Sequence, residues 1–301
     1  MRFIDIGANL TDGMFQGQYM GKAYHSPDVT KVLDRAWAAG VEKIVVTAGS
    51  LPEAESALAL ARTDDRLYCT VGVHPTRCKE IEDSSQGPEA YWDALRVLLK
   101  ADAADGKIVA IGECGLDYDR LEFCDKETQQ KWFRKHFELA ASFKLPMFLH
   151  MRAAAPDFIA TLKEHSATFT RGVVHSFDAN QEHLEQLLAF PTISIGINGC
   201  SLKTKENLGV MAQIPTSRLL LETDSPYCDV RPSHPGKVHV KTSRQAKDKK
   251  KYDPEMLVKG RNEPCNIVSV FAVVTGHRQV QDIEAFADDV FDNTMTMFFQ
   301  Q

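Results

Sequence analysis

Short apolar runs rich in Val, Ile and Leu recur along the chain, and up to about residue 220 each is followed by a stretch with helical periodicity. Candidate strands begin near Arg2 (RFIDIG), Val41 (VEKIVVTAG), Leu67 (LYCTVGVH), Lys107 (KIVAIGE), Pro146 (PMFLH), Gly172 (GVVHSF), Thr192 (TISIGING) and Arg218 (RLLLETD). The strand-then-helix order never reverses, and the starts lie 20 to 40 residues apart, near the ~30 of one βα step. Eight such steps predict an α/β chain folded as a closed (β/α)8 TIM barrel, a single domain over residues 1–301. The competing arrangement is an open doubly wound sheet, which binds ligands at one switch point instead of around a rim.

The intervening helices have their own signals. Lys126 to Lys144 carries Trp132, Phe133, Phe137, Leu139, Ala140 and Phe143 on an apolar stripe, and Glu53 to Arg62 is alanine-rich. After the eighth strand the pattern breaks: residues 228–260 are polar and lysine-rich without clear periodicity, which predicts an insertion at the barrel rim. Arg261-Asn262-Glu263-Pro264 then opens two closing C-terminal helices, with Asn262 as the expected N-cap and Pro264 in the first turn.

Composition narrows the class. With 44% hydrophobic and 25% charged residues, 18 Gly and 13 Pro, the chain has the balance of a packed globular protein, which excludes disorder, collagen and coiled coil. The net charge of −6 excludes a uniformly basic surface, so a polyanionic partner needs a local basic patch. No apolar run approaches the ~20 residues of a membrane helix, and MRFID opens a strand in place of a signal peptide. Seven dispersed cysteines without a Cys-x-x-Cys pair suit a reducing compartment. A cytoplasmic or nuclear protein is expected, with no membrane association and no obligate protein partner.

The ionisable residues fall where such a barrel gathers its strand ends. Glu113 ends IVAIGE, His150 ends MFLH, His175 follows GVV, Asp224 ends LLLETD and His74 ends TVGVH. A carboxylate directly after VAIG needs a cation, because burying an unpaired charge costs several kcal/mol. Two imidazoles and two carboxylates converging on one rim favour a divalent metal site. Strand alternation places Val109, Ile111 and Glu113 on one face, pairs Phe148 with His150, and pairs Val173 with His175. The same count lines Asp5, Gly7 and Asn9 along the first strand and sets Glu222 two residues below Asp224. Glu222 is either a support for the site or an interior carboxylate paired with Lys or Arg.

These motifs, DIGANLTD at 5–12, GVHPTRC at 72–78, AIGECGLDYDR at 110–120, PMFLHMR at 146–152, VVHSFD at 173–178, IGINGCSLK at 195–203, LLLETDSPYC at 219–228 and RNEPC at 261–265, run the length of the chain. In order and spacing they resemble the TatD-type metal-dependent deoxyribonucleases of the amidohydrolase-like barrel class, most of all the branch that includes the eukaryotic TatD-domain enzymes. The resemblance implies metal ligation by Glu113, His150, His175 and Asp224. It also implies a substrate-phosphate or catalytic contact from His74 and a phosphate partner in Arg152, whose guanidinium offers bidentate bonds. One departure bears on the metal. Many members open with Asp-x-His-x-His, whereas this chain has Asp5-Ile6-Gly7-Ala8-Asn9, without either histidine. A site left with Glu113, Asp224 and Asp5 or Asn9 is oxygen-dominated and suits Mg²⁺ or Mn²⁺ ahead of Zn²⁺, as one or two ions.

The expected chemistry is in-line attack of water on a phosphodiester, with Glu113 bridging the ions, Asp224 as general base and His74 protonating the leaving group or holding the phosphate. Residues 237–251 hold seven Lys or Arg against one Asp, a basic lip from which Lys241 and Arg244 are expected to bind phosphate. A solvated loop and a nuclear localisation signal are the competing readings. Tyr118, Phe177 and Tyr227 near the rim are candidates for base stacking, with core packing as the alternative for Phe177. The resemblance implies a deoxyribonuclease acting 3′ to 5′ on single-stranded DNA or duplex ends, in repair or degradation. Alternatives are a deacylase or esterase of the same barrel, acting for example on aminoacylated RNA, and a non-catalytic nucleic-acid-binding module.

Overall fold

The computed structural model describes residues 1–300. The main sheet has eight strands: β1 Phe3–Ala8, β2 Val41–Val46, β3 Leu67–Val71, β4 Ile108–Asp117, β5 Met147–Arg152, β6 Gly172–Val174, β7 Ile193–Ile197 and β8 Leu219–Leu221. Each begins within one residue of the start read from the apolar runs. They lie side by side in sequence order, and β1 with β2, β3 with β4, β4 with β5, β5 with β6 and β6 with β7 pair in parallel. A parallel bridge between Ala8 and Ser225 returns the chain after β8 to β1, reinforced by Asp224 N–H donating to Gly7 O at 2.8 Å and Asn9 N–H to Ser225 O at 2.7 Å. That return distinguishes a (β/α)8 barrel from an open doubly wound sheet.

Among the described residues ten α-helices punctuate the strands: α1 Val29–Ala38, α2 Leu51–Ala61, α3 Lys79–Glu82, α4 Pro88–Ala101, α5 Lys126–Phe143, α6 Ala155–Glu164, α7 Gln181–Leu188, α8 Lys205–Ala212, α9 Ile267–His277 and α10 Ile283–Phe298. Among the described residues none is long and apolar enough to cross a membrane. Helix α2 starts two residues before the alanine-rich stretch, because the Ser50 hydroxyl accepts from Glu53 N–H while the Glu53 carboxylate accepts from Gly49 N–H.

The residues pack as two compact units. One comprises Met1–Val46, Ser176–Asp178 and Gly196–Thr294, and the other Thr47–His175, Ala179–Ile195 and the tail from Met295. In the first, the Arg261 guanidinium is fully buried and donates to Asp28 at 2.8 and 2.7 Å and to Glu263 at 2.8 Å, while Arg35 reaches Glu263 at 2.8 Å. This network ties the loop after β1 to the segment after β8. In the second, α5 turns Trp132, Phe133, Phe137, Leu139 and Ala140 into the core, with Trp132 on Trp92 at 5.2 Å and Phe133 stacked on Phe158 at 5.2 Å. Each of the buried phenylalanines and Leu139 contributes about 1.5–3 kcal/mol. Phe143, at the end of the stripe, is only half-buried.

Two expectations change. Asn262 does not cap a helix: Pro264–Asn266 forms a 3-10 turn, α9 starts at Ile267 behind Asn266, and the Asn262 amide donates to Thr223 O at 3.0 Å. The 228–260 stretch is not formless. It holds 3-10 turns at Pro235–His239 and Lys249–Lys251, and a two-residue ladder of Ala246–Lys247 with Leu257–Val258.

Candidate metal centre

Strand β4 brings Glu113 into the site because glycines stand on either side of it. A Cβ on Gly112 would lie 2.2 Å from Phe148 O, and one on Gly115 would lie 1.9 Å from His150 O. Both have φ near +148°, which a side chain rarely tolerates. Without side chains there, the β5 backbone closes on β4 around the carboxylate. Glu113 N–H is fixed on Ala48 O at 2.9 Å.

Three imidazoles converge on one oxygen of this carboxylate. His150 Nδ1 and His175 Nε2 each lie 2.8 Å from Glu113 Oε1, and His74 Nε2 lies at 3.4 Å. The His150 and His175 nitrogens are 3.2 Å apart. Candidate ligand atoms of His74, Glu113 and His150 all fall within 4.8 Å of one another. Burial opposes ionisation of Glu113, but the surrounding imidazoles and their hydrogen bonds overcome it and hold the carboxyl well below its usual range. Ring nitrogens that crowd one another and one anion are the donor set of a divalent ion, which would satisfy their lone pairs together.

Each ring is held from behind. His74 sits at the entry of the 3-10 turn Pro75–Arg77, its Nδ1 2.7 Å from Thr76 Oγ1. The residue before it, Val73, donates its N–H to His136 Nε2 at 3.0 Å, and His136 Nδ1–H donates to Trp132 O at 2.7 Å. Burial pushes His136 down to about 4 and His74 down to about 3, so both are neutral at physiological pH. For His150, burial opposes the charge, but Asp117 and Glu113 on its two sides raise it above the usual histidine value.

Asp117 was not anticipated. Its side chain is fully buried, with Oδ2 3.4 Å from His150 Nε2 and 3.7 Å from Arg120 Nε. Its backbone N–H donates to Gln129 Oε1 of α5 at 2.8 Å. The signal was present in GLD: four residues beyond Glu113, alternation returns Asp117 to the same strand face.

In the other unit, Asp224 follows β8 in the left-handed region at φ 51°, a conformation that Asp adopts more readily than most residues. Its Oδ1 accepts from Asn9 Nδ2 at 2.9 Å and its Oδ2 lies 3.2 Å from Cys228 Sγ, which is 2.7 Å from Cys200 Sγ. Asp5 braces the same turn from below: Oδ1 accepts from Thr223 N–H at 2.9 Å and Gly7 N–H at 3.2 Å, and Oδ2 from the Thr223 hydroxyl at 2.5 Å. Burial pushes Asp5 up to about 8 against these hydrogen bonds. Glu222 Oε1 accepts from Ser176 N–H at 2.5 Å and Asn198 Nδ2 at 3.2 Å.

The remaining sequence candidates lie further out. Arg152 donates twice to Asp119 Oδ2, at 3.0 and 2.7 Å, in a pair about half open to solvent. Lys241 and Arg244 are exposed. Of the aromatics, Phe177 is buried at 3% exposure and Tyr227 is exposed at 48%, while Tyr118 hydrogen-bonds Asp157 at 2.8 Å.

A protein-family model described as TatD related DNase matches residues 4–299. The chain belongs to this family. Among TatD relatives, the deoxyribonuclease Tat-D of Schizosaccharomyces pombe is 38% identical over 300 residues, covering 99% of this chain and 96% of its own. A 3′-5′ ssDNA/RNA exonuclease TatD of Pectobacterium atrosepticum is 36% identical over 235 residues, covering 76% and 82%. Of the solved structures, a TatD family hydrolase from Entamoeba histolytica superposes with TM-score 0.93 at 37% identity, covering 100% of this chain and 99% of its own. His74, His150 and His175, the three residues gathered on the Glu113 oxygen, all lie within the span that the family model matches.

Proposed function

We propose that this chain is a divalent-metal-dependent deoxyribonuclease that shortens DNA from its 3′ end, in repair or degradation. The observation that carries the reading is the convergence of three imidazole nitrogens on one Glu113 oxygen. A module that only binds polynucleotides needs Arg, Lys and amides for its phosphates, not such a cluster. The substrate is supported by the relatives, named for deoxyribonuclease activity in fission yeast and for 3′-5′ ssDNA/RNA exonuclease activity in P. atrosepticum.

Glu113, His74, His150 and His175 would hold the ion, with Asp224 joining them by its place in the ETD motif. A bound ion supplies Lewis-acid activation of water and neutralises charge growing on the phosphoryl oxygens. Asp224 takes the proton of the attacking water; Asn9 on Oδ1 and the backbone bond to Gly7 fix how its carboxylate is presented. Burial keeps His74 neutral, which suits it to donate a lone pair. Arg152 exchanges Asp119 for a phosphate at small cost, since exposed pairs are worth about 0–1 kcal/mol. With three nitrogens to one oxygen, the donor set of the His/Glu cluster leans toward Mn²⁺ or Zn²⁺ over Mg²⁺, a shift from the oxygen-dominated site expected of the sequence.

The test is cleavage of DNA labelled at one end or the other by chelator-stripped protein, with Mg²⁺, Mn²⁺ or Zn²⁺ restored, beside Asp224→Asn and His150→Ala. Metal-dependent loss of nucleotides from the 3′ end, abolished in both variants, is expected. DNA left intact under every ion would end the nuclease reading and direct attention to carbonyl esters.

A further inference from the structure

Residues 237–251 concentrate six net positive charges on a chain of net −6. Such a run repels itself and ordinarily stays solvated without fixed structure. Here the fold holds it in place. Its stem, Pro235–His239, packs on α9 with Gly236 buried, Ala246–Lys247 pairs with Leu257–Val258, and Asp248 caps the turn Lys249–Lys251 by accepting from Lys250 N–H at 2.9 Å. The Lys249 ammonium sits 4.7 Å above the Tyr19 ring and 4.9 Å above Tyr24, both in the loop after β1, while His25 stacks on Tyr252 at 4.1 Å.

The segment's cations are nonetheless left largely uncompensated. Elsewhere cations meet carboxylates, as in Arg2 with Asp288, Lys131 with Glu82 and Arg134 with Glu164. Lys247 is bonded to Asp253 at 2.8 Å, but Lys241, Arg244, Lys250 and Lys251 are exposed and form no ion pair among the described residues. An ordered array of unpaired cations costs self-repulsion that a polyanion would relieve. Tyr227, in the stretch between Asp224 and this segment, is half-exposed and anchored through its hydroxyl to Asp12 Oδ2 at 2.6 Å.

We infer that Lys241, Arg244, Lys250 and Lys251, pinned in place by Lys249 on Tyr19 and Tyr24, form a docking surface for a polynucleotide backbone, engaging nucleotides beyond the one cleaved. This rests on the nuclease reading for the chemistry of its ligand. The consequence is a dependence on substrate length that the metal centre alone would not give.

The experiment compares wild type with K241E/R244E/K250E/K251E, and with the same four positions changed to Gln, on a labelled 30-nucleotide oligothymidine and on a dinucleotide. Four cations on a single strand should make wild-type affinity for the long oligonucleotide fall about 50-fold as salt rises from about 50 to about 200 mM, with a flatter dependence for Gln and the flattest for Glu. The fold-loss of kcat/KM in the variants should be smaller on the dinucleotide than on the 30-nucleotide strand, because backbone contacts beyond the cleaved linkage are absent there. Equal affinity and equal salt slope in the three proteins, or no binding of the oligonucleotide by wild type, would overturn the docking surface. Binding that follows the charges without cleavage of either substrate would keep the surface and remove the nuclease reading.

Discussion

Asp117 stands on the opposite side of the His150 ring from Glu113, 3.4 Å from Nε2. With an ion bound, a carboxylate there would keep the proton on Nε2 and leave the Nδ1 lone pair as the ligand atom between Glu113 and His175. Asp117→Asn is expected to weaken Mn²⁺ or Zn²⁺ binding by about 10- to 100-fold by calorimetric titration, with the far-ultraviolet spectrum unchanged. Equal affinity would remove the positioning role. Asp5 makes a different prediction. Its folded carboxyl is lifted from 3.8 to about 8, so the folded state keeps a proton that the unfolded chain has released. The associated stability is full below the unfolded value and drains away as pH rises through the folded one, at up to about 1.4 kcal/mol per pH unit. Urea unfolding of Asp5→Asn should therefore gain on wild type steadily from about pH 5 to about pH 8, and a constant difference would show Asp5 ionised throughout. The clustered histidines and Glu113 were legible because each closes a short apolar run. Asp117 required following the alternation past Gly115, and the neighbours Cys200 and Cys228 of Asp224 gave no signal, since a left-handed turn and a separate loop bring them together.

The strands were readable at the level of the element because apolar runs bounded by turn residues leave little freedom in where a parallel strand begins. Caps were less so. Asn262 looked like a helix start, but a 3-10 turn intervenes and its amide serves Thr223, a partner 39 residues away. The lysine-rich stretch announced its charge and hid its order, which depends on Tyr19, Tyr24 and His25 from the other end of the chain. The Arg261 network also lies beyond local pattern. Replacing Arg261 by Met leaves Asp28 buried without its guanidinium, and breaking a buried pair from one side costs about 3–5 kcal/mol. Denaturant midpoints should show a loss of that size. A loss under about 1 kcal/mol would mean that water replaces the arginine.

For the molecule as a whole, an ion bound at the proposed centre would link metal to folding. An ion bound by the folded chain alone stabilises it by about 2.7 kcal/mol at a hundred times its dissociation constant. Adding Mn²⁺ or Zn²⁺ to chelator-stripped protein should raise the melting temperature of wild type and leave His150→Ala nearly unmoved. Equal shifts in the two would place the stabilising ion elsewhere.

Helix α5 reaches two separate parts of this centre. Gln129 receives Asp117 N–H and donates back to Asp117 O at 2.9 Å, and two turns further along His136 receives Val73 N–H, next to His74. The positioning carboxylate and one of the nitrogen donors are thus hung from a single rod. A substitution on the buried face of α5, such as at Phe133, would tilt both attachment points together and retune the centre while every ligand stayed in place. Inherited variation on this helix would surface as altered catalysis from residues that never meet the substrate.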